Sequence, residues 1–224
     1  MLIDPYDFRP ARITRLIRHA ARAISIQLAT DQPYDFKVGQ HAIVRVTLPD
    51  GTKLVRQYSF SSPANDQAIW LTIIHTPEGA VSGWFNERAK EGDTVEISRP
   101  FSGPLMQKIP RGEICIIAGG SGIAPVIAWV RALRTKQQGF TLLYSTRHDE
   151  LCFPDELTPL RTTEKITIRL TDREPRLTKQ DIIDALTPTA TVFICGSRPF
   201  VLAMHKYCET VVPPDAIHAE AFSL

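Results

Sequence analysis

Short apolar runs alternating with turn signals fill the first half of the chain, and their spacing predicts strands at residues 12–17, 23–28, 41–48, 54–59, 69–75 and 94–98. Pro33, Gly39, Pro49-Asp50-Gly51, Pro63 and Gly92 separate them. Strands of this length, closely spaced and interrupted by a single helical segment at 81–90, suggest an antiparallel barrel. The opening stretch is ambiguous. Arg9, Arg12, Arg15, Arg18 and Arg22 recur every three or four residues, which also fits a helix, but the Ile, Thr and Leu between them favour a strand.

The pattern changes near residue 106. Ile114-Cys115-Ile116-Ile117-Ala118 is a continuous apolar run, as a strand buried on both faces requires. Helical stretches at 125–138, 154–160, 179–186 and 199–211 then alternate with strands at 141–145, 165–170, 191–195 and 216–222. Such alternation implies a doubly wound parallel α/β sheet. The fold class expected is therefore two-domain, an antiparallel β-barrel over 1–107 followed by an α/β domain over 108–224, with the boundary within 106–112.

Composition bounds the function. With 43% hydrophobic and 22% charged residues the chain can build a real core. Lys and Arg total 26 against 24 Asp and Glu, so no long-range field argues for nucleic acid or an anionic membrane. The arginine-rich opening is a solvated face or a docking patch for an acidic protein. The N-terminus lacks the basic and apolar segments of a secretory peptide, and no stretch approaches the ~20 apolar residues of a membrane helix, so a cytoplasmic location is expected. Cys115, Cys152, Cys195 and Cys208 form no C-x-x-C pair, which speaks against zinc, an iron-sulfur cluster and disulfides.

Candidate chemistry lies where strands end. The run closing at Ala118 leads into Gly119-Gly120-Ser121-Gly122-Ile123-Ala124-Pro125 and a helix, a placement suited to a pyrophosphate. A dinucleotide fingerprint would need a third glycine where Pro125 stands, and a nucleophile elbow one where Ile123 stands, so neither motif is present.

This segment resembles the nicotinamide-binding loop of the ferredoxin-NADP reductase superfamily, and three further signatures follow that family's order. Arg56-Gln57-Tyr58-Ser59 is similar to its Arg-x-Tyr-Ser flavin motif, Cys195-Gly196-Ser197-Arg198-Pro199 to its Cys-Gly-x-x-Pro, and Glu220-Ala221-Phe222 to its Glu-x-aromatic ending. The family's Gly-Pro-x-Gly is disturbed here, as Arg99-Pro100-Phe101-Ser102-Gly103-Pro104, and Ser223-Leu224 continue beyond the aromatic.

The resemblance implies an FAD-dependent NAD(P)H reductase, with the barrel holding FAD and the α/β half holding NADPH or NADH. Arg56 would pair with the FAD pyrophosphate, Tyr58 would stack on the isoalloxazine, and Ser59 would lie near flavin N5. His75, Gly79, Val81 and Ser82 would form a second flavin contact at a helix start, unless Ser82 is simply a cap. Gly119, Gly120, Ser121, Gly122, Pro125 and Gly196 would receive the nicotinamide dinucleotide. Cys195 would lie near the nicotinamide C4 or be a small buried apolar residue; Glu220 would tune charge or proton supply, and Phe222 would cover the second flavin face. Arg147 and Arg173 would read the 2′-phosphate and favour NADPH, with Asp172 beside Arg173 working against it.

The expected acceptor is a ferredoxin or an oxygenase component separate from the chain. Reduction of small acceptors such as free flavin, and a non-catalytic FAD-holding relay subunit, are the alternatives.

Overall fold

The computed structural model describes residues 6–63, 68–105 and 108–222. The barrel strands are β1 (Arg9–Ala20), β2 (Ala23–Ala29), β3 (Gln40–Thr47), β4 (Lys53–Ser59), β5 (Ile69–Ile74), β6 (Thr94–Ile97) and β7 (Phe101–Ser102). They run in the order β4-β3-β6-β1-β2-β5, with β7 paired to β3. A bridge between Phe60 and Leu71, with the Ser61 amide donating to the Trp70 carbonyl at 2.8 Å, joins the two ends. Period-two alternation turns Ile24, Ile26, Leu28, Ala42, Val44, Val46, Leu71 and Ile73 inward. Helix α1 (Ala80–Glu87) adds Val81 and Phe85 to that core.

The arginine-rich opening is the 12-residue strand β1. Strand β7 has no counterpart in the sequence reading, because two residues give no period. Helix α1 stops at Glu87 and not at 90: the Arg88 and Ala89 amides both turn back to the Trp84 carbonyl.

The second half is a five-stranded parallel sheet, β10-β9-β8-β11-β12, built from β8 (Ile114–Gly119), β9 (Thr141–Thr146), β10 (Lys165–Leu170), β11 (Thr191–Ser197) and β12 (Ile217–Phe222). Helices α2 (Ile123–Thr135) and α3 (Pro154–Leu160) cover one face, and α4 (Lys179–Ala185) and α5 (Arg198–Cys208) the other. The apolar run on β8 splits accordingly, with Ile114, Ile116 and Ala118 on the α2 side and Cys115 and Ile117 on the α5 side. Strand order reverses beside β8, and a crevice at such a point is where open sheets of this type hold ligands.

Several boundaries shift. Helix α2 begins at Ile123 because a single 3-10 turn, Gly120–Gly122, precedes it, and it ends at Thr135 because Gln137 takes a left-handed φ of 54° that closes the last turn. Strand β11 runs past Cys195 to Ser197, and α5 ends at Cys208. Met106 and Gln107, where the domain boundary was expected, lie outside the described residues. No described helix is long and apolar enough to cross a membrane.

Candidate active site at the cleft between the halves

The carboxyl edge of the parallel sheet faces β4, β5 and the start of α1, and two cavities lie along this cleft. The first, about 470 Å³, is walled on the barrel side by Arg56, Tyr58, Ser59 and Thr72, and on the other by Ser121, Ala124 and Phe222. Arg56 is exposed, its guanidinium donating to its own neighbour's carbonyl, Val55, at 2.7 Å. Tyr58 sets its ring edge-on to Phe85 at 5.9 Å, and burial pushes its phenol well above the usual range. Ser59, only 6% exposed, closes β4.

At the start of α1, the Ser82 hydroxyl accepts from the Thr76 amide at 3.1 Å and donates to the Gly79 carbonyl at 3.2 Å. Ser82 therefore ties the 76–79 turn together and does not cap the helix. The start of α1 has no side-chain cap and no acid in its first turn, which leaves its positive end to an anion. Gly79 lines the cavity, whereas Val81 points into the barrel core and can contribute only backbone.

The second cavity, about 580 Å³, runs over the sheet edge past Gly119, Gly120, Ser121, Arg147, Ser197 and Pro199. Two helical starts meet it: the 3-10 turn leading into α2, and α5, which carries Pro199 in its first turn. Gly122 lies beneath this surface, where a Cβ would come within 2.1 Å of the Cys195 carbonyl oxygen. Pro125 is buried in the first turn of α2 and shapes the helix start without reaching the groove. Phe200 lies over Gly119 and Gly196 and leaves neither room for a side chain.

The two cavities share Ile74, Thr76, Pro77 and Ser121 and so lie side by side along the cleft. Of the residues singled out from the sequence, Arg56, Tyr58, Ser59, Gly79, Ser82 and Phe222 line the first cavity and His75, Gly119, Gly120, Ser121 and Arg147 the second, with Ser121 common to both.

Others are not brought there. Cys195 is fully buried, part of the α2-side core, and lines neither cavity; burial holds its thiol well above the usual range. The reason lies in β11, which continues two residues beyond it. Glu220, level with Cys195 in the β11–β12 ladder, is 8% exposed and points toward the 103–105 loop, where the Leu105 amide donates to it. Burial still raises its carboxyl above the ordinary range. Arg173 is exposed outside the groove, and Arg176 lines it instead. Asp172 accepts from the His148 amide at 2.9 Å and so steadies the turn that carries Arg147.

Sequence reasoning also missed Thr72 and Phe200, which line the cavities, and His41 beside Ser59; Arg22, noted there only as part of the arginine-rich opening, lines the second cavity. His41 lies opposite Ser59 in the β3–β4 ladder, its Nδ1 buried without a partner. Phe200 follows a motif that had been noted; the others sit on ordinary strand or turn positions that give no local signal.

Comparison with known proteins bears on this geometry. Residues 13–107 match the family of oxidoreductase FAD-binding domains. This segment is an FAD-binding oxidoreductase domain. It is 30% identical over 202 residues to the ferredoxin reductase component of 3-ketosteroid-9-alpha-monooxygenase from Rhodococcus rhodochrous, covering 85% of this chain and 57% of that protein. It is 25% identical over 240 residues to the flavohemoprotein of Bacillus subtilis, covering 96% of this chain and 59% of the relative. The chain thus spans under two thirds of the length of these relatives. The ferredoxin NADP+ reductase of Neisseria gonorrhoeae, solved with bound FAD and NADP, superposes with a TM-score of 0.77 at 20% identity, covering 96% of this chain and 98% of that one, which establishes the fold.

The barrel half matches an FAD-binding domain, and its residues fit the cofactor. The cavity has an exposed guanidinium, an uncapped helix start, aromatic rings at Tyr58 and Phe222, and hydroxyls at Ser59 and Thr72.

Proposed function

We propose that the chain is an NAD(P)H-dependent flavoprotein reductase, with FAD in the first cavity and the nicotinamide dinucleotide in the second. The observation that carries this reading is that the two cavities adjoin, with Ile74, Thr76, Pro77 and Ser121 in the wall of both. FAD supplies the hard chemistry when bound, accepting a hydride and releasing electrons one at a time. The protein's share is to hold two rings in near-attack contact.

In this reading Arg56 and the start of α1 grip the FAD pyrophosphate, Tyr58 and Phe222 sandwich the ring system, and the Ser59 hydroxyl presents its proton near the reacting position. Gly119, Gly120 and Ser121, with the start of α5, receive the dinucleotide phosphates, with Gly122 allowing the close packing behind them. Pro125, Gly196 and Val81 shape these surfaces through backbone. Glu220 tunes charge from behind the site, Cys195 packs beneath it, and Phe222 moves aside for the nicotinamide. Arg147 and Arg176, both on the groove, favour NADPH over NADH. The acceptor is a ferredoxin or an oxygenase component, in keeping with the reductase-component names of relatives. Four free, buried cysteines support a reducing, cytoplasmic setting.

Anaerobic stopped-flow mixing of the FAD-loaded protein with NADPH tests the reading. Rapid bleaching of the flavin band is expected, and a yellow protein untouched by NADPH and NADH alike would overturn it. Ser59→Ala should slow bleaching by about tenfold with FAD still bound; an unchanged rate removes Ser59 from the reaction.

A further inference from the structure

Away from the cleft just described, the seam between the halves encloses another cavity, also about 470 Å³. Trp70, Phe153 and Ile17 give it apolar walls, and its polar groups are His19, Ser25, Ser61, Asp155 and the Arg131–Glu156 ion pair. Ser61 is 1% exposed, yet its hydroxyl has no hydrogen-bond partner among the described residues. An orphaned buried hydroxyl costs about 1–3 kcal/mol, which a ligand atom reaching it would offset.

The charges around the cavity do not balance. Glu156 takes the Arg131 guanidinium in two hydrogen bonds of 3.0 and 2.7 Å, and the remaining Arg131 Nη1 donates to the Ser61 carbonyl at 2.6 Å. Burial and the Arg131 charge lower His19 to about 4, so its imidazole is neutral near pH 7. Asp155 makes no ion pair with a described residue and leaves the lining net anionic. Flat apolar walls, an anionic rim and an unpaired hydroxyl together select a planar ring bearing a positive charge.

The cavity is also wired to the flavin side. His19 Nε2 lies 2.7 Å from Ser25 Oγ, which lies 2.8 Å from Thr72 Oγ1, and Thr72 lines the flavin cavity. Hydroxyls both donate and accept, so a change at His19 can reorient the whole chain.

We propose that this seam cavity is a second binding site, for a small aromatic cation, whose occupancy is felt in the flavin cavity through His19, Ser25 and Thr72. Binding itself is independent of the flavin reading; only its transmission rests on it.

Titration with benzamidine, followed by calorimetry and tryptophan fluorescence, is the test. Saturable one-to-one binding is expected, with neutral benzamide weaker by about fivefold to tenfold and Asp155→Asn weakening benzamidine by a similar factor. Asp155 is exposed, so this variant should fold. Absence of binding, equal affinity for benzamide, or binding insensitive to Asp155→Asn would each overturn the site. In the FAD-loaded protein, benzamidine should perturb the flavin absorbance, and Thr72→Val, outside the seam cavity, should abolish that perturbation while affinity is kept. A perturbation that survives Thr72→Val, or none in the parent, overturns the transmission. The affinity measurements read the site on protein without FAD as well, so a failure of flavin loading is told apart from a failure of the site.

Discussion

The barrel meets the cleft with side chains, whereas the glycine-rich edge at β8 meets it with backbone. Strand β4 sets Arg56 and Tyr58 two residues apart on one face, so an antiparallel edge can offer a guanidinium and a ring in a single stretch. The sheet edge offers strand ends and helix starts, and its residues are chosen for what they leave out: Gly119, Gly120 and Gly122 carry no Cβ. Substitutions on the barrel side should therefore cost ligand contacts, and those at the edge glycines should cost geometry.

Gly122→Ala has the largest expected effect. Its backbone, at φ −59° and ψ −16°, suits any residue, so the objection is space alone, with a new Cβ 2.1 Å from the Cys195 carbonyl oxygen. Backbone cannot swing aside as a side-chain end can, and destabilisation of about 3 kcal/mol or more is expected, or roughly 6–12 °C in Tm for a chain of this size. Gly120→Ala is the sharpening control. Gly120 has φ +51° with nothing within 4 Å of a Cβ, so only backbone strain of about 1 kcal/mol should appear. Equal losses in thermal melts would show that crowding at Gly122 is not what fixes this edge.

Arg56→Ala comes next, and acts on the other region. It should leave Tm of the apoprotein within about 1 °C, since the side chain is exposed and bonded to its neighbour Val55. FAD affinity should fall by about 10- to 100-fold with the loss of a charge-assisted phosphate contact. Fluorescence titration of apoprotein with FAD measures this, and an unaltered Kd would mean that the barrel does not grip through side chains.

The same contrast explains what was legible in the sequence. Alternation exposed the barrel strands and the unbroken run exposed β8, because each pattern reports directly which faces are buried. Motif residues on regular elements, such as Arg56, Tyr58 and Ser59 on β4, came out beside the cavity. What depended on how a loop curls did not. The 170–174 turn folds back, with the Arg173 and Glu174 amides both on the Leu170 carbonyl, and this leaves Arg173 outside while Arg176 enters the groove. Of the two readings left open for Cys195, the structure shows the small buried apolar residue, because β11 continues two residues beyond it, and a strand's end is not written in its apolar content. Thr72 and Ser25 lie on outward strand positions that look like any polar face.

Arg176 gives a smaller effect that tests the loop directly. Arg176→Ala and Arg147→Ala should each raise KM for NADPH by about tenfold while changing KM for NADH little; Arg173→Ala should change neither by more than about twofold. A selective effect of Arg173→Ala with none at Arg176 would reverse the assignment.

The smallest effect lies in the seam, where barrel and sheet press on each other and pH acts on them with opposite signs. His19, on β1, is packed against Phe153 with ring centroids 4.4 Å apart, and burial lowers it from 6.5 to about 4. In the unfolded chain it takes up a proton near 6.5, so between 6.5 and about 4 the unfolded state binds more protons and falling pH destabilises the fold. The loss from this group should be about 1–2 kcal/mol once solvent on its open side is allowed for. Glu220, on β12, works the other way: burial raises its carboxyl, so it opposes folding as pH rises above the unfolded carboxylate range, and acid relieves that penalty. Urea melts at pH 7 and pH 4.5 separate the two. His19→Gln should lose less stability on acidification than the parent, and Glu220→Gln should lose more, because it has already shed the penalty that acid removes. Parallel losses in all three proteins would mean that neither buried group carries the pH response of the seam.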